Sequence, residues 1–226
     1  MRSLGSRLSL IASMVPETGS VCDVGTDHGY LPAYLFLNGK HTAVTASDIN
    51  KAPLENARKN LEKLGAKGVK LVLCDGLSGI ERSDADTVII SGMGGDVISG
   101  ILSKCSFIKD EKITLILQPM TAADILRTYL SENGFKTLKE EAVEENGKIY
   151  SVMLCRHCEK PFKIDEVGKR IGILKADSDA NRQYIKKQLD ICIDCKNALE
   201  ACDSVRAAFY ADIAGKLQEL LLFGGK

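Results

Sequence analysis

From Ser20 to about Cys155 the sequence alternates short β-rich runs with helical stretches, and this alternation constrains the fold more than any other feature. Seven strands are predicted, at Ser20 to Val24, Thr42 to Ser47, Val69 to Leu73, Ala85 to Ser91, Lys112 to Leu117, Lys136 to Val143 and Ile149 to Leu154. Helical segments at about Tyr30 to Leu37, Lys51 to Leu64, Asp96 to Ser103 and Thr121 to Asn133 fall between them. Units of this length imply a parallel sheet with helices on both faces. Only Glu144-Glu145-Asn146-Gly147 separates the last two strands, too few residues for a crossover helix, so these two pair antiparallel as a hairpin.

After His157 no strand pattern appears. Pro161 to Lys163 reads as a linker and a short helix follows at about Glu166 to Lys175. Ile185, Leu189, Cys192, Cys195, Leu199 and Cys202 then step by threes and fours, and Phe209, Ile213, Leu217 and Leu220 do so again. Asp203-Ser204 between the two stripes is a plausible N-cap, so two amphipathic helices are expected to fold back as an antiparallel hairpin. The 226 residues suffice for one α/β unit and a smaller appendage, and the expected division is 1–158 and 159–226.

Composition excludes several classes. Thirty basic residues balance thirty acidic ones, so any nucleic-acid contact must use a local basic patch and not a field of the whole protein. No run of about 18 apolar residues is present, so no membrane span is expected. Met1 to Val15 carries Arg2 and Arg7 among Leu4, Leu8, Leu10 and Ile11. Its apolarity is helical and lacks a small-residue cleavage pattern, which makes it a poor signal sequence and a cytoplasmic protein the expectation. The pairs Cys155/Cys158 and Cys192/Cys195 resemble zinc half-sites. Their separation exceeds the usual ribbon spacing of about 15–20 residues, and the second pair sits in a helical stretch, so reduced, buried thiols are favoured and no metal is expected.

The most informative segment is Val21-Cys22-Asp23-Val24-Gly25-Thr26-Asp27-His28-Gly29-Tyr30-Leu31-Pro32. An apolar strand ends in an acid, passes through a glycine turn and enters a helix whose free amides face the strand ends. A nicotinamide fingerprint would place a glycine where Asp27 stands, and a carboxylate there would repel a diphosphate. The same acids suit a ligand bringing an ammonium and a sulfonium, as S-adenosylmethionine does. Asp48, after the second strand, stands where a carboxylate holds ribose hydroxyls, with Ile49 beside it. Asp75, in Cys74-Asp75-Gly76-Leu77, can accept from an adenine amino group. Each acid alone is more often a helix cap or turn residue than a ligand, but three at successive strand ends converge on one pocket. The fourth strand ends in Ile90-Ser91-Gly92-Met93-Gly94-Gly95-Asp96 and the fifth in Leu117-Gln118-Pro119-Met120. Glycines at this density let backbone approach a ligand, which marks a floor for donor and acceptor. The floor lacks the Asn/Asp-Pro-Pro clamp that amino-group methyltransferases place there, so a ring nitrogen is the favoured acceptor.

Asp-Val-Gly-Thr-Asp-His-Gly-Tyr-Leu-Pro from Asp23, Ser-Gly-Met-Gly-Gly from Ser91, Leu-Gln-Pro from Leu117 and Ser-Arg-Leu from Ser6 resemble the bacterial TrmK family of tRNA (adenine-N1)-methyltransferases. The resemblance covers the α/β part and continues into the helical hairpin. It implies a class I Rossmann-like methyltransferase with a C-terminal coiled coil that docks tRNA, S-adenosyl-L-methionine as cofactor, and methylation of adenine N1 at tRNA position 22 in the D-arm region. It further implies that Arg7, Asp23, Gly25, Thr26, Asp27, His28, Gly29, Asp48, Ile49, Asp75, Gly76, Gly92, Met93 and Gly94 line the cofactor site. Tyr30, Met93, Gln118 and Pro119 would line the catalytic side. A monomer is the expected state.

Adenine N1 carries a free lone pair at neutral pH but lies on the Watson–Crick edge, so the base must be extruded before attack. Alignment then matters more than proton transfer, because the product keeps its positive charge. Tyr30 either stacks on the extruded base or is buried against the sheet, and His28 either bonds a ligand or caps the turn. Lys169, Arg170, Arg182, Lys186 and Lys187 of the helical part either meet phosphates or form a solvated face. Three other readings remain: a methyltransferase of another RNA, a protein or a small molecule; a non-catalytic zinc-containing RNA-binding module; and, least favoured because of Asp27, a nicotinamide oxidoreductase.

Overall fold

In the computed structural model residues 4–39, 41, 43–158 and 160–224 are described. Met1, Arg2, Thr42 and Glu159, at which a terminal helix, the second strand and the second unit were expected to begin or run, lie outside the described residues. Seven strands form one sheet: β1 (Ser20–Val24), β2 (Ala43–Asp48), β3 (Lys70–Leu73), β4 (Thr87–Gly94), β5 (Thr114–Thr121), β6 (Phe135–Glu145) and β7 (Lys148–His157). Their order is β3-β2-β1-β4-β5-β7-β6, parallel except for β7, which runs antiparallel to both β5 and β6. The turn between β6 and β7 is the pair Asn146-Gly147, both with positive φ, at 54° and 71°. A two-residue turn of that kind matches the right-handed twist of the strands it joins.

Helices α1 (Ser6–Met14), α2 (Tyr30–Asn38) and α3 (Lys51–Leu64) cover one face, and α4 (Gly95–Ser103) and α5 (Ala123–Glu132) cover the other. Strand β1 is buried along its whole length, as expected where both faces of a parallel sheet are covered. Helix α3 stops at Gly65 (φ 83°), with the Ala66 amide on the Leu61 carbonyl at 2.9 Å and the Gly65 amide on Glu62. That pattern satisfies carbonyls the last turn would otherwise leave bare. The chain order reverses between β1 and β4, and a crevice outside the strands' carboxyl ends opens where it does so.

Beyond the sheet lie α6 (Glu166–Ile171), α7 (Asp179–Leu199) and α8 (Ser204–Phe223). Asp203 caps α8 by accepting from the Arg206 amide at 3.0 Å. Arg182 near the start of α7 donates to the Leu221 carbonyl near the end of α8, so the two helices are antiparallel. Their stripe differs in detail from the sequence reading. Cys202 lies past the end of α7 and is exposed, and Phe209 is exposed while Tyr210, Ile213, Ala214 and Leu217 face inward. Helix α6 ends at Ile171, four residues early, because Gly172 takes a positive φ there.

The helical part shares a core with the sheet, since Ala142 of β6 and Ile149 of β7 pack with Ile171, Tyr184, Ile185 and Leu217. At this junction Arg127 of α5 is buried against Glu140 of β6 at 2.6 Å. Arg127 also donates to the Lys169 and Arg170 carbonyls, to Ser151 and to Tyr184. Five elements thus meet on one guanidinium, which supplies its donors in a fixed fork.

The candidate methyl-donor site

A cavity of about 420 Å³ lies at the ends of β1 to β4, lined among others by Gly25, Asp48, Ile49, Asp75, Gly76, Gly92 and Met93. That volume falls within the usual range for small-molecule sites. The first turn is fastened to β2 by two bonds, since the Gly25 and Thr26 amides both donate to the Ser47 carbonyl at 2.8 and 3.0 Å. Gly25 has φ 78°, and a Cβ there would collide with the Met93 methyl. The positive φ favours glycine at this position, and the absence of a Cβ lets the Met93 side chain lie against the turn.

The acids occupy different environments. Asp23 is buried, and desolvation pushes its carboxyl up to about 6 against the opposing pull of Thr26 and Arg7, with Asp48 adding to the rise. Asp48 is also buried and accepts the Asn50 amide on Oδ1 at 2.7 Å, so it serves the turn while lining the cavity. Asp75 is exposed at the cavity edge, 3.3 Å from Lys104 Nζ. An exposed pair of that kind contributes little stability and can rearrange around a ligand.

The floor is organised by Gln118. This side chain is wholly buried, and its Oε1 accepts from Arg7 Nη1 at 2.8 Å and from the Gly92 amide at 3.1 Å. Arg7 is held in turn by Glu145, which takes the Arg7 backbone amide at 3.1 Å and its Nε at 3.3 Å. Helix α1, the β6–β7 hairpin and the fourth-strand floor are joined through these three side chains. Met93 pairs with Pro119 across irregularities in the β4–β5 register, and Pro119 is buried beneath it.

Not every residue expected in the site lines the cavity. Asp23, Thr26, Asp27, His28, Gly29 and Tyr30 form the adjoining turn, while Arg7, Gly94, Gln118 and Pro119 surround the floor from behind and beside it. Tyr30 is 39% exposed, so its ring is available and not buried against the sheet. His28 lies 5.7 Å from it ring to ring and 3.3 Å from Asp27, all three open to solvent. Of the cysteines, Cys22, Cys155 and Cys192 are buried and Cys158 is exposed beyond the end of β7. Burial pushes the Cys155 thiol up to about 12, an environment that disfavours the thiolate a metal would need. No group of three or more potential metal ligands occurs among the described residues.

A methyltransferase-domain family model matches residues 4–153. The tRNA (adenine(22)-N(1))-methyltransferase of Bacillus subtilis (strain 168) is 31% identical over 188 residues, covering 81% of this chain and 79% of that protein. The chain belongs to the tRNA (adenine(22)-N(1))-methyltransferase family. The crystal structure of the B. subtilis m1A22 tRNA methyltransferase TrmK superposes with a TM-score of 0.83 at 28% identity, covering 98% of this chain and 100% of that one. Streptococcus pneumoniae Sp1610 in complex with S-adenosyl-L-methionine superposes with a TM-score of 0.79 at 30% identity, over 95% and 98% of the two chains. In this member of the family the class I Rossmann-like fold with its seven-stranded mixed sheet and C-terminal helical hairpin is complete.

Several residues lining this cavity were not expected from the sequence. Val97, Gly100 and Ile101 of α4, with Lys104 just past its end, line the cavity. Their spacing is that of one helical face, so the signal was present immediately after the glycine turn. Glu145 had no such signal. It belongs to an acidic run at the hairpin tip, where only the docking of α1 gives it a partner.

Proposed function

We propose that this chain methylates N1 of the adenine at position 22 of tRNA, with S-adenosyl-L-methionine as donor. The observation that carries the reading is the 31% identity, over four-fifths of the chain, to a tRNA (adenine(22)-N(1))-methyltransferase. The cavity, lined by Asp48 and Asp75 and by backbone at Gly25, Gly76 and Gly92, fits such a donor. Asp23 with Asp27 receives the ammonium end, Asp48 the ribose hydroxyls and Asp75 the adenine amino group. When bound, S-adenosyl-L-methionine supplies an electrophilic methyl carried on a sulfonium.

The residues of the chain then have to place the acceptor. Tyr30 offers an exposed ring on which an extruded base can stack, and Met93 with Pro119 shapes the floor beneath. Gln118 holds that floor through the Gly92 amide and is saturated by Arg7, so it positions backbone and leaves proton transfer aside. The N1 lone pair forms the new bond to the methyl carbon, the carbon–sulfur electrons stay with sulfur, and the base keeps its positive charge without a general base. Orientation and exclusion of water carry this step. Residues 1–158 form the donor-binding unit and 159–226 the tRNA-docking unit, and the protein acts as a cytoplasmic monomer. No helix among the described residues is long and apolar enough to cross a membrane.

The test is incubation of the protein with labelled donor and unmodified tRNA, followed by nuclease digestion and mass spectrometry. The expected product is 1-methyladenosine. N6-methyladenosine obtained directly, without rearrangement of an N1 product, would overturn the assignment.

A further inference from the structure

A second cleft, of about 340 Å³, lies between the sheet and the helical hairpin. One wall is Pro119 to Asp124, the end of β5 and the start of α5, which lead away from the floor. The other walls are Tyr150 of β7, Arg170 of α6, and Tyr184 and Lys187 of α7. It begins at Pro119, the neighbour of Met93 across the β4–β5 ladder, so it starts beside the floor and leads away from the donor cavity.

Its cations differ from the other basic residues of the helical part. Lys169 is paired with Glu166 at 2.6 Å, and Arg182 is spent on the Leu221 carbonyl. Among the described residues Arg170 has no acidic partner. Its guanidinium carbon sits 5.5 Å over the Tyr210 ring, and its Nε is buried with no hydrogen-bond partner. Among the described residues Lys187 also lacks an acidic partner, and its Nζ lies 3.5 Å from the Ile149 carbonyl. Asp124, on the rim, is the one acid lining the cleft. Two unpaired cations beside a tyrosine, in a space the size of one nucleotide, match a phosphate with its base.

We propose that this cleft seats one nucleotide of the tRNA strand flanking the methylated adenosine, with its phosphate between Arg170 and Lys187 and its base against Tyr150. The inference rests on the tRNA reading above. Arg170 and Lys187 bind substrate here and do not touch the donor, and the cleft fixes the direction in which the strand leaves the floor.

Steady-state methylation of an unmodified tRNA transcript by the full chain tests this, with donor affinity measured in parallel by calorimetry. Lys187→Ala and Arg170→Gln are each expected to raise the KM for tRNA about tenfold with kcat and donor affinity little changed. Each is also expected to flatten the dependence of log KM on log salt, as loss of a phosphate contact requires. Tyr150→Ala is expected to raise KM without altering the salt slope. Lys187 is exposed, so Lys187→Glu reports on the cleft even if Arg170→Gln disturbs the packing on Tyr210. A KM within twofold of the parent in Lys187→Ala and Lys187→Glu overturns the cleft proposal while leaving the tRNA reading intact. A parent protein that binds donor but does not methylate tRNA overturns both.

Discussion

Replacing Asp23 with asparagine sets stability against function in a way the structure lets one calculate. The carboxyl is buried at the end of β1, and burial raises its pKa from 3.8 to about 6 despite Thr26 and Arg7 nearby. A raised carboxyl pKa means that the folded state favours the protonated form. The stability this gives is fully present below about pH 4 and is lost as pH rises through about 6. A shift of roughly two units corresponds to about 3 kcal/mol, carried by the folded protein at neutral pH as the cost of an ionised buried group. Asp23→Asn removes that cost. Its stability relative to the parent is therefore expected to improve by about 2 kcal/mol between about pH 4.5 and 7.5, since part of the titration is already under way at the lower value. Donor binding moves the other way. The parent is expected to lose affinity about tenfold per pH unit below about 6 as Asp23 takes up its proton, whereas the variant binds weakly throughout and lacks that slope. Urea unfolding and donor calorimetry across this range measure both. A variant whose stability tracks the parent at every pH, or which keeps the parent's pH-dependent affinity, would refute the reasoning.

Asp48→Ala is expected to weaken donor binding by about 1–3 kcal/mol, through loss of paired hydroxyl contacts and of the bond to the Asn50 amide; unchanged affinity by calorimetry would remove the ribose role. Tyr30→Ala should lower turnover more than donor affinity, while Tyr30→Phe keeps much of the activity, because stacking needs the ring and not the hydroxyl. Equal loss in both variants would point to the hydroxyl instead. Arg127→Met leaves Glu140 buried and unpaired, so unfolding experiments should show a loss of about 3–5 kcal/mol. A loss below about 1 kcal/mol would mean that this junction does not bind the helical hairpin to the sheet.

The strands and helices were legible because a parallel sheet covered on both faces writes itself into the chain as buried apolar runs such as Val21 to Val24. The extensions of β4 to Gly94 and of β5 to Thr121 were not, because Gly92 and Pro119 read as breakers and only the irregular pairing around Met93 absorbs them. Asp23, Asp48 and Asp75 could be found because each stands at or just past the carboxyl end of its strand, where the chain is about to turn. Glu140 could not. It lies in the run Lys139-Glu140-Glu141, which looks like a solvated strand edge, and its burial depends on an arginine from α5 and on the Ile173 amide. Glu145 was hidden for the same reason, and the unpaired state of Arg170 and Lys187 depends on which acids the folded chain leaves out of reach. Local pattern reveals what a residue's own element needs, and these residues are defined by elements far away in sequence.

The proposed reaction places a methyl group on one atom of one nucleotide. Reverse transcription through tRNA treated with donor and protein tests it most directly, since methylation of N1 blocks the Watson–Crick edge that the polymerase must read. A new stop is expected at position 22, absent without donor and absent from a transcript carrying guanosine there. A stop at another adenosine, or methyl incorporation that persists in the guanosine transcript, would contradict it.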